Sequence, residues 1–217
     1  MMKLKLSRRD GPLKVLCLGA HSDDIEIGCG GTILKLIREN EAVEFDWVVF
    51  SAGENREKEA LESAEAFLTG ATRRAIIIKA FRDGYFPYNS GEIKDYFEEL
   101  KRKIDPELIF THHRMDLHQD HRLVSELTWN TFRDHLILEY EVPKYDADLR
   151  APNVFFYLDQ AACQTKLRLI LKHFRSQADN QWFTEETFRA ILRLRGIESN
   201  APTRYAEAFY CRKAVVF

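Results

Sequence analysis

The chain has 217 residues, enough for one domain of ordinary size to close its own core without disulfide or metal staples. Apolar residues make up 45% and charged residues 30%, which excludes a disordered chain, and 32 basic side chains against 34 acidic ones exclude a dedicated nucleic-acid binder, whose phosphate contacts need a clustered basic excess. Four cysteines without a CxxC pair, and an apolar run from Leu13 to Ala20 too short to span a bilayer, point to a reduced, cytoplasmic protein without a membrane segment.

Through the first half, short apolar runs alternate with helical patterns. Leu13 to Gly19 (LKVLCLG) reads as a buried strand, and Gly31 to Asn40 as a helix from the spacing of its apolar positions. Phe45 to Phe50 is a second strand, and Arg56 to Leu68 a helix with Ala60, Leu61, Ala64 and Phe67 or Leu68 on its apolar stripe. Ala75 to Ile78 is a third strand, and Ser90 to Lys103 a helix opened by a Ser cap. Leu108 to Thr111 is a fourth strand, followed by a helix from about Asp120 to Phe132. Beyond it, Ile137 to Val142 and Val154 to Leu158 read as strands, Thr165 to Phe174 and Thr184 to Arg195 as helices, and Phe209 to Phe217 as a closing strand.

Strands buried on both faces and separated by helices imply a parallel sheet with right-handed crossovers. The expected fold is an open, doubly wound, Rossmann-like three-layer α/β fold with a mostly parallel sheet. There is no repeat, low-complexity tract or linker, so residues 1–217 are expected to form a single domain, with Pro143 to Pro152 its most loop-like internal stretch. The locally basic stretch Lys166 to Arg195 has its charges at helical spacing and reads as a solvated helix face.

In such folds ligands sit beyond the C-terminal ends of the strands. Ala20-His21-Ser22-Asp23-Asp24-Ile25-Glu26 follows the first strand, and His112-His113-Arg114-Met115-Asp116-Leu117-His118-Gln119-Asp120-His121 follows the fourth. Two segments thus carry imidazoles and carboxylates to one sheet edge. An imidazole and a carboxylate three residues apart on a turn can face one ion, and a second imidazole from the other segment completes a His/Asp/His set. Mixed nitrogen and oxygen donors suit zinc, and three protein ligands leave a fourth position for a water whose pKa falls to about 7. Adjacent aspartates then divide the work, one binding the ion and the other taking the water's proton.

Ala20-His21-Ser22-Asp23-Asp24 resembles the AHPDD signature of the PIG-L/LmbE-type N-deacetylases, and His118-Gln119-Asp120-His121 resembles their HxDH motif. Ile27-Gly28-Cys29-Gly30-Gly31-Thr32, Arg56-x-x-Glu59 and Tyr205-Ala206-Glu207-Ala208-Phe209 extend the resemblance from about Val15 to Phe209. It implies a metal-dependent hydrolase that removes an acyl group, usually acetyl, from the nitrogen of an amino sugar. His21, Asp24 and His121 would be the metal ligands, for Zn(2+) or, in the cell, Fe or Mn. Asp23 would be the general base. His118, oriented by Asp120 in a His–carboxylate pair, would stabilise the oxyanion or protonate the amine. Arg56 would contact sugar hydroxyls. Ser22 departs from the family's proline, which removes a φ constraint but no chemical group. The implied partner is a small amino sugar or glycoconjugate, with no nucleic acid and no membrane; the sequence leaves the oligomeric state open, a homo-oligomer included.

Other readings of the same residues stand beside this one. His21 and Asp24 could form a turn with a helix cap, Arg56 could pair with Glu59 on an exposed helix, and His112 and His113 could line the rim. Asp116 supports the site or caps its turn, and Tyr205 and Glu207 close the pocket or brace it. Phe81, Tyr85, Phe86 and Tyr88 around Arg82-Asp83-Gly84 form a sugar-stacking wall or pack the core. Gly28-x-Gly30-Gly31 between a strand and a helix suggests a dinucleotide or S-adenosylmethionine site. Against it, a His-Ser-Asp-Asp turn intervenes, adjacent carboxylates repel a pyrophosphate, and Glu54 comes late for the ribose. A binding module that merely holds a metal would leave Asp23 and Asp120 without a role.

Overall fold

The computed structural model describes residues 3–6 and 11–215. Five parallel strands run in the order β3 (Arg73–Ile78), β2 (Val43–Val49), β1 (Leu13–Gly19), β4 (Leu108–His112) and β5 (Leu136–Tyr140). They are followed by β7 (Tyr205–Tyr210), antiparallel to both its neighbours, and by β6 (Val154–Leu158) at the far edge. The chain winds outward from β1 to β3, then restarts at β4 on the other side of β1. That reversal opens a crevice between the C-terminal ends of β1 and β4.

The alternation of side chains along each strand sorts the core into two layers. Val15 and Cys17 of β1, with Phe45 and Trp47 of β2, face a cluster built with α1 (Asp24–Glu39), α2 (Glu54–Phe67), α5 (Gln160–His173) and α6 (Glu185–Glu198). Leu16, Leu18, Val48 and Ile109 face the opposite cluster, with α3 (Ser90–Lys103) and α4 (Gln119–Thr131). This is the doubly wound, three-layer arrangement expected from the apolar runs. At the β3 edge, Arg73 pairs with Glu44 at 3.2 Å and Asp46 at 2.8 Å on β2, charges that discourage pairing with another chain. Among the described residues no helix is long and apolar enough to cross a membrane.

Several expectations are corrected. The first helix begins at Asp24, not Gly31, so the glycine run lies inside it. A Cβ at Gly28 would lie 2.1 Å from the Tyr140 ring, one at Gly30 2.6 Å from Phe67, and one at Gly31 2.5 Å from Leu158. These glycines seat the helix on its neighbours, and the packing outweighs their low helix propensity. Ser90 does not cap its helix; a 3₁₀ turn over Phe86–Asn89 leads directly into it. The fifth helix starts earlier than Thr165, where Asp159 accepts the Ala162 N–H at 2.8 Å. The last strand occupies Tyr205–Tyr210 and ends before Cys211; Val216 and Phe217, the end of the expected strand, lie outside the described residues.

The stretch Lys166 to Arg195 is not a uniformly solvated face. Lys166 is buried against Glu207 at 2.6 Å, and Arg195 is buried with Nε and Nη2 on Glu141 at 2.6 and 2.7 Å. Gly196, next in α6, lets the chain double back, since a Cβ there would sit 2.0 Å from the Arg204 carbonyl oxygen. Backbone cannot yield as a side-chain tip can. Gly196→Ala is expected to cost about 3 kcal/mol, the upper end of overpacking effects, read as a lowered urea midpoint with an unchanged m-value.

Candidate active site

Five segments converge on the crevice, each from the C-terminal end of a strand or the start of the following helix. β1 delivers His21, and the first turn of α1 delivers Asp23 and Asp24. The turn closes because the Asp24 carboxylate accepts the His21 backbone N–H at 2.6 Å, and a carboxylate at a helix N-terminus is favoured by the helix dipole. β4 ends on His112, and the loop beyond it carries Asp116 and then His118, which caps α4 ahead of Asp120 and His121. The loop after β3 brings Asp83, α2 brings Arg56, and Tyr140 closes β5.

His21 Nδ1 and His121 Nε2 lie 3.1 Å apart, and each lies 3.4 Å from an Asp24 oxygen. Neighbouring donors around a tetrahedral ion with bonds of about 2.1 Å are about 3.4 Å apart, so these spacings are of the right size. The two imidazoles, however, meet different oxygens of Asp24. The sets whose donors lie within 4.8 Å of one another are His21, His118 and His121, then Asp24, His112 and His121, then His21, Asp83 and Asp120. The far nitrogen of each ring is also committed. His121 Nδ1 donates to Asp116 at 2.9 Å, and His21 Nε2 faces Asp83 at 3.0 Å and Asp120 at 3.4 Å. A carboxylate behind each imidazole fixes the ring and turns its other nitrogen toward the centre.

The two adjacent aspartates sit in opposite electrostatic settings. Burial and the Asp24 charge push the Asp23 carboxyl up to about 6, against the pull of Arg56, whose Nη2 donates to it at 3.4 Å. Burial would raise Asp24 too, but the His121 and His112 imidazoles hold it well below the usual carboxylate range. Burial and the adjacent His112 ring lower His121 to about 4. Burial and the nearby His21 lower His118 as well.

The residues expected at the site are therefore brought together, with one rearrangement. His118 accepts the Asp120 backbone N–H on Nδ1 at 3.3 Å, and its ring lies 4.9 Å from that of His21 and 4.6 Å from that of His121. The Asp120 carboxylate does not pair with His118. It accepts the Gly84 and Phe86 N–H groups at 2.7 and 3.1 Å and supports His21. Gly84 adopts φ +76°, a left-handed conformation that suits glycine, to present that N–H.

Other residues take places that their spacing does not reveal. His112 does not line the rim; it is fully buried beneath the site, stacked 3.9 Å from the His121 ring, with Nε2 2.9 Å from the Ala20 N–H and 3.2 Å from Asp24. His113 turns away to Glu139 at 2.8 Å and stacks on Tyr210. Arg56 reaches Asp23 while Glu59 accepts from Ser176, so the two do not pair with each other. Glu207 braces α1 from below. The aromatic segment divides: Phe86 packs with Phe50 and Phe81, whereas Tyr85 and Tyr88 are exposed. Asp83 joins the site unannounced, although it follows the third strand just as Asp24 follows the first.

Imidazoles and carboxylates gathered at the switch point of a doubly wound sheet are the groups that a hydrolytic site needs. The chain belongs to the PIG-L family: residues 16–132, just over half of it, match the family described as GlcNAc-PI de-N-acetylase. It is 27% identical over 169 residues to the uncharacterized deacetylase YaiS of Escherichia coli (strain K12), an alignment covering 73% of this chain and 89% of the relative. The structure of N,N'-diacetylchitobiose deacetylase from Pyrococcus horikoshii superposes with a TM-score of 0.69 at 26% identity, over 91% of this chain and 83% of that one. GalB, a 4-carboxy-2-hydroxymuconate hydratase from Pseudomonas putida KT2440, superposes with a TM-score of 0.73 over 94% and 98% of the two chains. At 17% identity that likeness concerns the fold alone, and it illustrates that the fold does not choose the reaction.

Proposed function

We propose that the chain is a single-domain, metal-dependent N-deacetylase that cleaves the acyl group, acetyl above all, from an amino-sugar-containing substrate. The convergence of His21, Asp24 and His121 at 3.1–3.4 Å carries the reading. These three residues would hold Zn(2+), with Fe or Mn as cellular alternatives, since such a donor set does not select by affinity alone. Bound there, the ion would polarise the amide carbonyl and make a coordinated water acidic near neutral pH.

The protein's own groups supply the remainder. Asp23 accepts the proton of the attacking water and passes it to the leaving nitrogen, so that amide and water become a carboxylic acid and an amine. His118, with Nδ1 accepting a backbone N–H, keeps its Nε2 proton to donate to the developing oxyanion. Arg56 holds Asp23 in place and extends toward the sugar hydroxyls. Asp116 and Asp120 keep the two ligand imidazoles oriented. Support for a cytoplasmic setting comes from Cys17, Cys29 and Cys163, which are free thiols inside the core.

Release of free amine and acetate from a panel of N-acetylated sugars, run with defined metals, tests the reaction. His118 also lies close enough to act as a ligand, because ring nitrogens of His21, His118 and His121 fall within 4.8 Å of one another. The two roles separate by mutation. His121→Ala is expected to lose the metal, whereas His118→Ala keeps it and loses at least about tenfold to a hundredfold in rate. No amine release from any substrate with any metal, or full metal content in His121→Ala, overturns the assignment.

A further inference from the structure

The segment 141–153 links β5 to β6 along the side of the site. Arg195 clamps it, binding Glu141 through Nε and Nη2 and the Arg150 carbonyl at 3.0 Å. The segment also carries Lys144, largely buried, with Nζ 2.9 Å from Asp116 Oδ2 and 2.7 Å from Asp148 Oδ2. The Asp116 oxygen that meets Lys144 also accepts from His121 Nδ1 at 2.9 Å, while Asp116 Oδ1 accepts the His118 N–H at 2.8 Å. Asp148 in turn accepts the Leu117 N–H at 2.8 Å. One ammonium thus joins this segment to both histidines of the second motif.

We propose that Lys144 is a positioning residue that couples the 141–153 segment to His121 through Asp116, so that filling the metal site and holding the segment in place are linked. The inference rests on the reading of His121 as a ligand. Without the ammonium, Asp116 and Asp148 would be two buried carboxylates sharing no counter-charge, and such a pair moves apart. That displacement loosens the hydrogen bond that orients His121. Linkage then requires the reverse effect: occupancy of the metal site favours the seated segment by the same factor.

The test uses purified full-length protein and zinc alone as the probe. Lys144→Met is expected to weaken zinc binding by about tenfold to a hundredfold in a chelator competition, the usual range for groups that orient a metal ligand, with Lys144→Arg restoring most of it. The visible spectrum of the cobalt(II)-loaded protein should change in Lys144→Met, reporting altered donor geometry. Tyr145 is exposed beside Lys144, so chymotryptic cleavage after it should slow several-fold when zinc is added to the wild type and become insensitive to zinc in Lys144→Met. Should Lys144→Met fail to fold, Lys144→Gln keeps a donor without the charge and is expected to show the same losses in smaller measure. Wild-type zinc affinity and an unchanged cobalt spectrum in these variants, even with a lower melting temperature, would mean that Lys144 only stabilises the fold and would sink the proposal. If the wild type itself binds no ion, the metal centre fails first and takes the coupling with it.

Discussion

Asp23→Asn is expected to lower kcat for amide hydrolysis by about a hundredfold to ten-thousandfold while leaving the bound metal and KM nearly unchanged. The substitution keeps shape and removes only the ability to accept a proton. Asp23 makes no side-chain cap for α1, and its side-chain partner is Arg56 at 3.4 Å, so the turn does not depend on its charge. Its neighbour should behave in the opposite way. Asp24 contacts His21, His112 and His121 and accepts the His21 N–H, so Asp24→Asn should lose metal and rate together. Metal content measured beside single-turnover rates distinguishes the two aspartates. Loss of the metal from Asp23→Asn would make Asp23 a ligand instead of the base.

Lys166→Met should be the most destabilising of the substitutions considered, at about 3–5 kcal/mol, the range for removing one partner of a buried ion pair. Lys166 Nζ donates to Glu207 at 2.6 Å and to the Ile27 carbonyl at 2.6 Å. Glu207 also accepts the Gly31 N–H at 2.8 Å, the Thr32 N–H at 2.6 Å and the Thr32 hydroxyl at 2.5 Å. The group therefore ties α1, α5 and β7 together, and taking away the ammonium leaves a buried carboxylate without its counter-charge. The double variant Lys166→Met/Glu207→Gln should recover a large part of the loss, because the uncompensated charge goes with it. Urea unfolding of the two variants beside the wild type checks this. A loss below about 1 kcal/mol in the single variant would mean that water reaches Glu207.

The legibility of the molecule follows from where its information is local. β1 and β4 are largely apolar because both faces are buried, β2 is apolar from Trp47 onward, and the two metal-type motifs are short and adjoin β1 and β4. That suffices for the fold class and for bringing His21, Asp24 and His121 to one place. The start of α1 is not legible, since Gly28, Gly30 and Gly31 argue against a helix until Tyr140, Phe67 and Leu158 are known to press on them. The partners of His21 and His121 are equally hidden. Asp83, Asp116 and Lys144 come from three different connections, and nothing in their spacing records that they meet. Asp83 and Asp116 leave a trace, because they follow the third and fourth strands and the fold rule applies there as it does to the first, whereas Lys144 leaves none. Burial of Lys166 and Arg195 is obscured by their helical spacing, which is the same for a solvated face and for one packed on a carboxylate.

The glycines of α1 have one more consequence. Tyr140, on which Gly28 rests, donates its hydroxyl to the Leu18 carbonyl at 2.7 Å and lies 3.2 Å from His112 Nε2, which itself touches Asp24. The depth at which the helix settles on that ring thus sets how far its first turn projects into the crevice. Three missing methyl groups act as notches that index the helix against the sheet, and the two carboxylates at its tip inherit their alignment from a fitting tolerance established one to two turns away.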